Sequence, residues 1–237
     1  MADKINLCGV WIDPITLDGA VKKALKKQPL PCAVFTPNAV MLDACRRDPS
    51  LASLLCRATL SLPDGAGVLF AAKRKGVPLR ERVSGIDFGE AILKRAARDG
   101  LKVFLLGGKE GVARRAAKKL SLSYPPLRIC GFHHGYFQKE GRENAEVLSQ
   151  IIACKPHILL VCFGFPAQEK WIVENLPALP FLRTAAGLGG SLDVWSGDTA
   201  RAPKTLQKCG LEWAWRMMRE PRRLKNLPAL LRFLLFS

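Results

Sequence analysis

The sequence predicts an α/β fold: a Rossmann-like, mostly parallel sheet with helices on both faces, plus a basic amphipathic appendage at the C-terminus. From Leu101 onward, β-favouring runs (KVFLLGG, PLRICGF, HILLVCF) alternate with helical segments over Glu110–Leu120 and Arg142–Ala153. Glycines close several of these runs, as in parallel sheets whose strands end in loops leading to covering helices. The last stretch is different in kind. Between Arg201 and Ser237 nine basic and two acidic residues interleave with Trp213, Trp215, Met217, Met218, Leu224 and a leucine- and phenylalanine-rich end. The expected division is a sheet domain over residues 1–200 and an appendage over 201–237.

Taken in order, Ile5–Ile12 is expected to form the first strand and Thr16–Lys27 a helix with lysines in its last turns. A short run, Ala33–Phe35, stops at Thr36-Pro37-Asn38 and passes into a helical pattern through Ala44. A second run, Ala58–Leu62, ends in Pro63-Asp64-Gly65 ahead of a small-residue helix over Ala66–Lys73. Asp64 therefore sits at the carboxyl end of a strand and the amino end of a helix, where open α/β sheets place ligands. Turn and capping chemistry explains the same residues on local grounds, and it explains Thr36 and Asn38 equally well. Ser84 is expected to cap a helix over Asp87–Arg98, with Arg80 and Arg82 just before it. GLGGSLDVWSG then closes the domain.

Charge and composition narrow the function. The chain has 237 residues and a formal charge of +17, which points to an anionic partner: nucleic acid, an anionic membrane surface or a phosphorylated substrate. Eight cysteines form no C-x-x-C pair and several lie in apolar runs, so buried free thiols are expected. The N-terminus lacks a signal-peptide pattern, and no apolar stretch reaches the about 18 residues of a membrane span, so a cytoplasmic chain is expected.

Gly107, Gly108 and Gly111 only approximate a dinucleotide fingerprint, and no acidic residue ends the next strand to hold a ribose. Two readings of that loop stand: phosphate accommodation at a helix N-terminus, and close helix–strand packing. H-E-x-x-H, G-x-S-x-G and G-K-[ST] motifs are absent, three histidines make no metal cluster, and no cofactor is implied. No Asp-x-Asp pair is present to hold a divalent cation against a sugar nucleotide, which leaves Arg, Lys and backbone dipoles to stabilise a leaving phosphate.

TPNAVML, LPDGAGV, RVSGIDF, VFLLGG, HHGYF, CFGFPAQEKW, GLGGSLDVWSGDTARAP and GLEWAWRMMREPRR occur in this order from about residue 5 to about residue 225. In motifs, order and spacing the chain resembles the TagA/TarA/WecG/CpsF family of bacterial glycosyltransferases. The resemblance implies an enzyme that moves N-acetylmannosamine or a related sugar from its UDP donor onto a polyprenyl-diphosphate-linked N-acetylglucosamine. It implies inversion at the anomeric carbon, no metal, and work at the cytoplasmic face of the cell membrane in teichoic-acid, common-antigen or exopolysaccharide synthesis.

Position by position, the resemblance makes Asp64 the general base. Thr36 and Asn38 would hydrogen-bond sugar hydroxyl or acetamido groups, and Arg82 would stabilise the diphosphate. Gln168 would orient donor or acceptor, with Glu169 beside it a weaker candidate. Gly107, Gly108, Gly187 and Gly189 would shape the uridine-diphosphate pocket. The appendage would reach an anionic membrane and complete the site with Arg216, Arg222 and Arg223. One departure is Trp215, where the family pattern has tyrosine. Two rivals belong to other classes: a basic nucleic-acid-binding α/β module, and a non-catalytic assembly module. The first is disfavoured because the aromatics outside the tail, Phe35, Phe70, Phe104 and Phe163, mostly sit in core-like runs, and the second because Asp64, Arg82 and Gln168 occur together. No nucleic-acid partner is expected, and a homo-oligomer hiding the apolar tail is compatible with the composition.

Overall fold

Val34 and Phe35 are sequence neighbours, both fully buried, yet they enter two different cores on opposite sides of one sheet. The same split separates Val103 and Leu105 from Phe104 and Leu106, and Ile158 and Leu160 from Leu159 and Val161. A strand covered on both faces must be apolar at successive positions, which is why these runs lack polar alternation. The computed structural model describes residues 3–77, 79–208, 210–219 and 221–236, with the side chains at 208, 216, 221–223 and 236 outside that set.

The chain begins with β1 (Ile5–Leu7) and β2 (Val10–Ile12), followed by α1 (Leu17–Leu25), β3 (Cys32–Phe35), α2 (Ala39–Arg47), α3 (Pro49–Leu55) and β4 (Leu60–Ser61). Next come α4 (Ala66–Arg74), α5 (Gly85–Asp99), β5 (Lys102–Gly107), α6 (Val112–Ser123), β6 (Arg128–His133) and α7 (Gly141–Cys154). Then follow β7 (Ile158–Cys162), α8 (Ala167–Asn175), β8 (Thr184–Gly187) and α9 (Ser191–Ser196). The C-terminal region adds α10 (Lys204–Lys208), α11 (Glu212–Arg219), a 3-10 segment (Pro221–Asn226) and α12 (Leu227–Phe236).

Six strands form a parallel sheet in the order β4-β3-β8-β7-β5-β6. Helices α1, α5, α6 and α9 cover one face; α2, α3, α4, α7, α8 and α12 cover the other. The predicted α/β class and two-sided cover are what the chain adopts. The expected single strand over Ile5–Ile12 is instead a tight antiparallel hairpin. Cys8 and Gly9 both take positive φ, 53° and 82°, which suits a two-residue hairpin turn although cysteine gives no sequence signal for it.

Strand β8 is followed by a helix on one face while its neighbours β3 and β7 are followed by helices on the other. Connections diverging in this way open a crevice at the carboxyl ends of the strands. The seven described cysteines are free, and burial pushes Cys32 up to about 11 and Cys162 up to about 12, so these thiols are packing groups rather than nucleophiles.

Candidate active site

Two strand-end turns are sewn together by backbone hydrogen bonds. Leu62 donates to the Phe35 carbonyl at 2.8 Å and Asp64 donates to Pro37 at 3.2 Å, so the Pro-Asp-Gly turn lies against Thr36-Pro37-Asn38. Val83 donates to Pro63 at 2.9 Å and brings in the chain just before α5. The first amide of α5, on Gly85, then points at Asp64 Oδ2 across 3.4 Å. A carboxylate in this position faces the positive end of the α5 backbone dipoles.

Gly85 also lets Thr36 approach, since a Cβ there would lie 3.2 Å from Thr36 Oγ1. Thr36 is buried and donates to the Gly187 carbonyl at 3.3 Å, which ties the end of β3 to the end of β8. Gly187 in turn packs on Gln168, whose Nε2 would stand 2.9 Å from a Cβ at that position. Gln168 Oε1 accepts from Gly189 N–H at 2.9 Å and from Gly164 N–H at 3.3 Å. Asp64, Gly85, Thr36, Gly187 and Gln168 thus form one contiguous chain of contacts along the crevice.

Asn38 serves the fold: its Oδ1 caps α2, accepting from Val40 and Met41 amides at 3.0 and 3.2 Å. Gly107 and Gly108 lie further along the sheet at the end of β5. A Cβ on Gly107 would overlap the Cys162 carbonyl, and one on Gly108 would meet Val112 at 2.7 Å, so close packing accounts for both glycines in their present place. The backbone groups of Gly108 are also engaged, its N–H donating to the Cys162 carbonyl at 3.2 Å and its carbonyl accepting from Gly135 at 2.8 Å.

Arg82 stands at the entrance to α5, largely sheltered, with Asp87 and Glu212 carboxylates each 3.6 Å from its guanidinium. Glu212 begins α11, so the C-terminal region reaches the neighbourhood of the site. Arg201 strengthens this approach by pairing with Asp87 and with Glu90, the latter at 3.3 Å. Burial pushes the Asp87 carboxyl up, but hydrogen bonds from Ser84 and Arg201 and the charges of Arg201 and Arg82 outweigh it and hold the group below its ordinary value. The Ser84–Asp87 cap was legible in the sequence; the Arg201 partner, 114 residues away, carried no local signal. The side chains of Arg216, Arg222 and Arg223 lie outside the described residues.

Residues 5–237 match the Glycosyl transferase WecG/TagA/CpsF family. The chain belongs to this family. It is similar to the N-acetylglucosaminyldiphosphoundecaprenol N-acetyl-beta-D-mannosaminyltransferase of Bacillus subtilis (strain 168), with 32% identity over 200 residues covering 84% of this chain and 76% of the relative. A relative of the same name from Bacillus spizizenii (strain ATCC 23059 / NRRL B-14472 / W23) is 31% identical over 194 residues, 82% of this chain and 74% of its own. As a member of the WecG/TagA/CpsF family the chain is a glycosyltransferase.

For this glycosyltransferase the C-terminal helices matter as more than a tail. On α12, Leu230 and Phe233 are buried against α2 and α4, and Arg232 donates to the fully buried Asp43 of α2 at 2.8 Å. Arg74 of α4 donates to the Leu234 carbonyl at 3.1 Å. Among the described residues no helix is long and apolar enough to cross a membrane, and no group of three or more His, Cys, Asp or Glu could hold a metal ion.

Proposed function

We propose that this protein transfers N-acetylmannosamine, or a closely related sugar, from its UDP donor to a polyprenyl-diphosphate-linked N-acetylglucosamine in cell-envelope polysaccharide synthesis. The transfer inverts the anomeric centre, needs no divalent cation, and takes place with the protein docked on the cytoplasmic membrane face through residues 201–237. The relatives named above carry that donor sugar and that acceptor in their names. The observation that carries the reading is the contiguous chain from Asp64 through Thr36 to Gln168 across the carboxyl ends of β4, β3, β8 and β7.

In this reading Asp64 takes the proton of the acceptor hydroxyl as that oxygen bonds to the anomeric carbon. The bond from that carbon to UDP breaks on the opposite side, and its electron pair leaves on the β-phosphate. An ordinary aspartate, with a pKa of about 3.9, is a weak base and helps only when held against a hydroxyl that acidifies as the bond forms. Holding is what the stitched turns supply. Arg82 is a cation at the entrance to α5 that can meet the departing diphosphate. Its 3.6 Å pairs with Asp87 and Glu212 are loose enough for a bidentate phosphate to compete.

The test is transfer from a panel of radiolabelled UDP-sugars to synthetic prenyl-diphosphate N-acetylglucosamine, with EDTA present. A β-linked product from UDP-N-acetylmannosamine that persists in EDTA is expected. A folded protein that yields no product from any donor, or product that vanishes with EDTA and returns with a divalent cation, would overturn the corresponding part.

A further inference from the structure

Helix α8 carries a carboxylate that the transfer chemistry leaves unused. Glu169 is 0% exposed; its Oε1 accepts from Gln168 Nε2 at 2.8 Å, and its Oε2 has no hydrogen-bond partner among the described residues. Burying a half-satisfied carboxyl is costly, and an apolar side chain would fill the same space at less cost. Burial pushes the Glu169 carboxyl up to about 7, against the opposing effect of the Gln168 hydrogen bond and a backbone hydrogen bond.

The neighbour explains the expense. The two ends of a glutamine amide are nearly identical in shape, so packing alone does not decide which end is oxygen and which is nitrogen. Direction comes from partners. On one side the amides of Gly189 and Gly164 require an acceptor; on the other Glu169 Oε1 accepts from the amide nitrogen. With one Nε2 proton taken by Glu169, the second is left for a ligand oxygen. The same amide bridges the loop after β7 to the loop after β8, where Thr36 also docks.

We propose that Glu169 is a positioning residue for the transfer reaction: its carboxyl sets the direction of the Gln168 amide, and through it the placement of the Gly164 and Gly187–Gly189 loops that shape the site. Glu169 acts only through Gln168 and touches no substrate. The inference rests on the reading that the reaction takes place at these strand ends.

The experiment compares wild type, Glu169→Met, Glu169→Gln, Gln168→Ala and the double variant Gln168→Ala/Glu169→Met. Two readouts are taken: transfer kinetics with the prenyl-diphosphate acceptor, and the side-chain amide resonances of Gln168 in 15N-glutamine-labelled protein, assigned by their loss in Gln168→Ala. Glu169→Met keeps an unbranched side chain of similar length and removes the oxygen that accepts from Gln168. It is expected to stay folded and to move the Gln168 amide resonances. It is also expected to lower kcat roughly 10- to 100-fold with KM changed less than about threefold. Glu169→Gln, whose carbonyl can accept in the acid's place, recovers most of that loss. In the Gln168→Ala background the Glu169→Met change adds less than about twofold, because the two residues act as one unit. Wild-type kcat in Glu169→Met, unmoved Gln168 resonances, or additive losses in the double variant would each overturn the proposal. A wild type that transfers no sugar would remove the transfer reading instead, while the amide resonances still decide whether Glu169 directs Gln168.

Discussion

Asp64 and Glu169 are carboxylates held in opposite ways. Asp64 is partly exposed and faces the first amide of α5, whereas Glu169 is sealed from water beside an amide. Asp64→Asn keeps an oxygen for the Gly85 amide and removes the base. The expected result is an unchanged melting temperature with kcat lowered about 10²- to 10⁴-fold, and equal turnover would return Asp64 to the role of a turn residue. Glu169 makes a prediction of the other kind, about stability. Its folded-state value, about 7, lies above the ordinary 4.5, so between these values the folded protein binds more protons than the unfolded chain. Its stabilising contribution is full below about pH 4.5 and is lost as pH rises through about 7. Glu169→Gln removes that dependence, so from pH 4 to pH 8 the variant gains on wild type by up to roughly 3 kcal/mol. Denaturant melts at the two pH values measure this. Parallel curves would show that Glu169 is not held in its acid form.

At the scale of elements, sequence signals worked where punctuation was local. Asn38 and Ser84 each cap the helix they precede, and glycines end β5 and β8, so strand-helix-strand order was readable; Thr16, expected as the first residue of its helix, is instead its cap. Two elements were not readable. The β1–β2 turn depends on a cysteine at positive φ, and α3 is a single short helix started by Asp48 and Pro49 between two longer patterns. The apolar end of the chain was the harder case, because periodicity shows that α12 is amphipathic without showing what its apolar side meets. Residues 229, 230 and 233 turn inward onto α2 and α4, while Leu231 and Leu235 stay exposed. Gly67, near the start of α4, has Phe233 and Leu234 within 3.8 Å of where a Cβ would lie, so α12 braces the helix that leaves the Asp64 turn. Phe233→Ala is therefore expected to cost about 3–5 kcal/mol in denaturant melts and to lower transfer even with a detergent-dispersed acceptor. A variant as stable as wild type would mean that α12 is not packed here in solution.

For the molecule as a whole, the question is where a formal charge of +17 is directed. The contiguity of Asp64, Thr36 and Gln168 could be anticipated because each follows a strand of one parallel sheet, whose carboxyl ends share an edge by geometry alone. The path of the C-terminal region could not, because its ties to the domain, Arg201 to Asp87, Glu212 to Arg82 and Arg232 to Asp43, join residues far apart in sequence. Those ties leave Trp213, Met218, Leu224, Leu231 and Leu235 exposed among basic residues, with Phe70 of α4 also exposed. Such a surface matches an anionic bilayer, where each basic residue near the headgroups contributes about 1 kcal/mol and the exposed apolar groups add contact with the acyl boundary. Wild type is expected to sediment with vesicles of phosphatidylglycerol and phosphatidylethanolamine, and less so as salt rises and screening shortens to a few ångströms. Truncation after Lys208 strips Phe233 and Leu230 from α2 and α4 and leaves Asp43 without Arg232. The truncated protein should then fold with reduced stability, fail to sediment and lose most transfer to the lipid-linked acceptor. Sedimentation kept by the truncation would place the membrane surface on the sheet domain, and full transfer by it would show that the sheet domain alone completes the site.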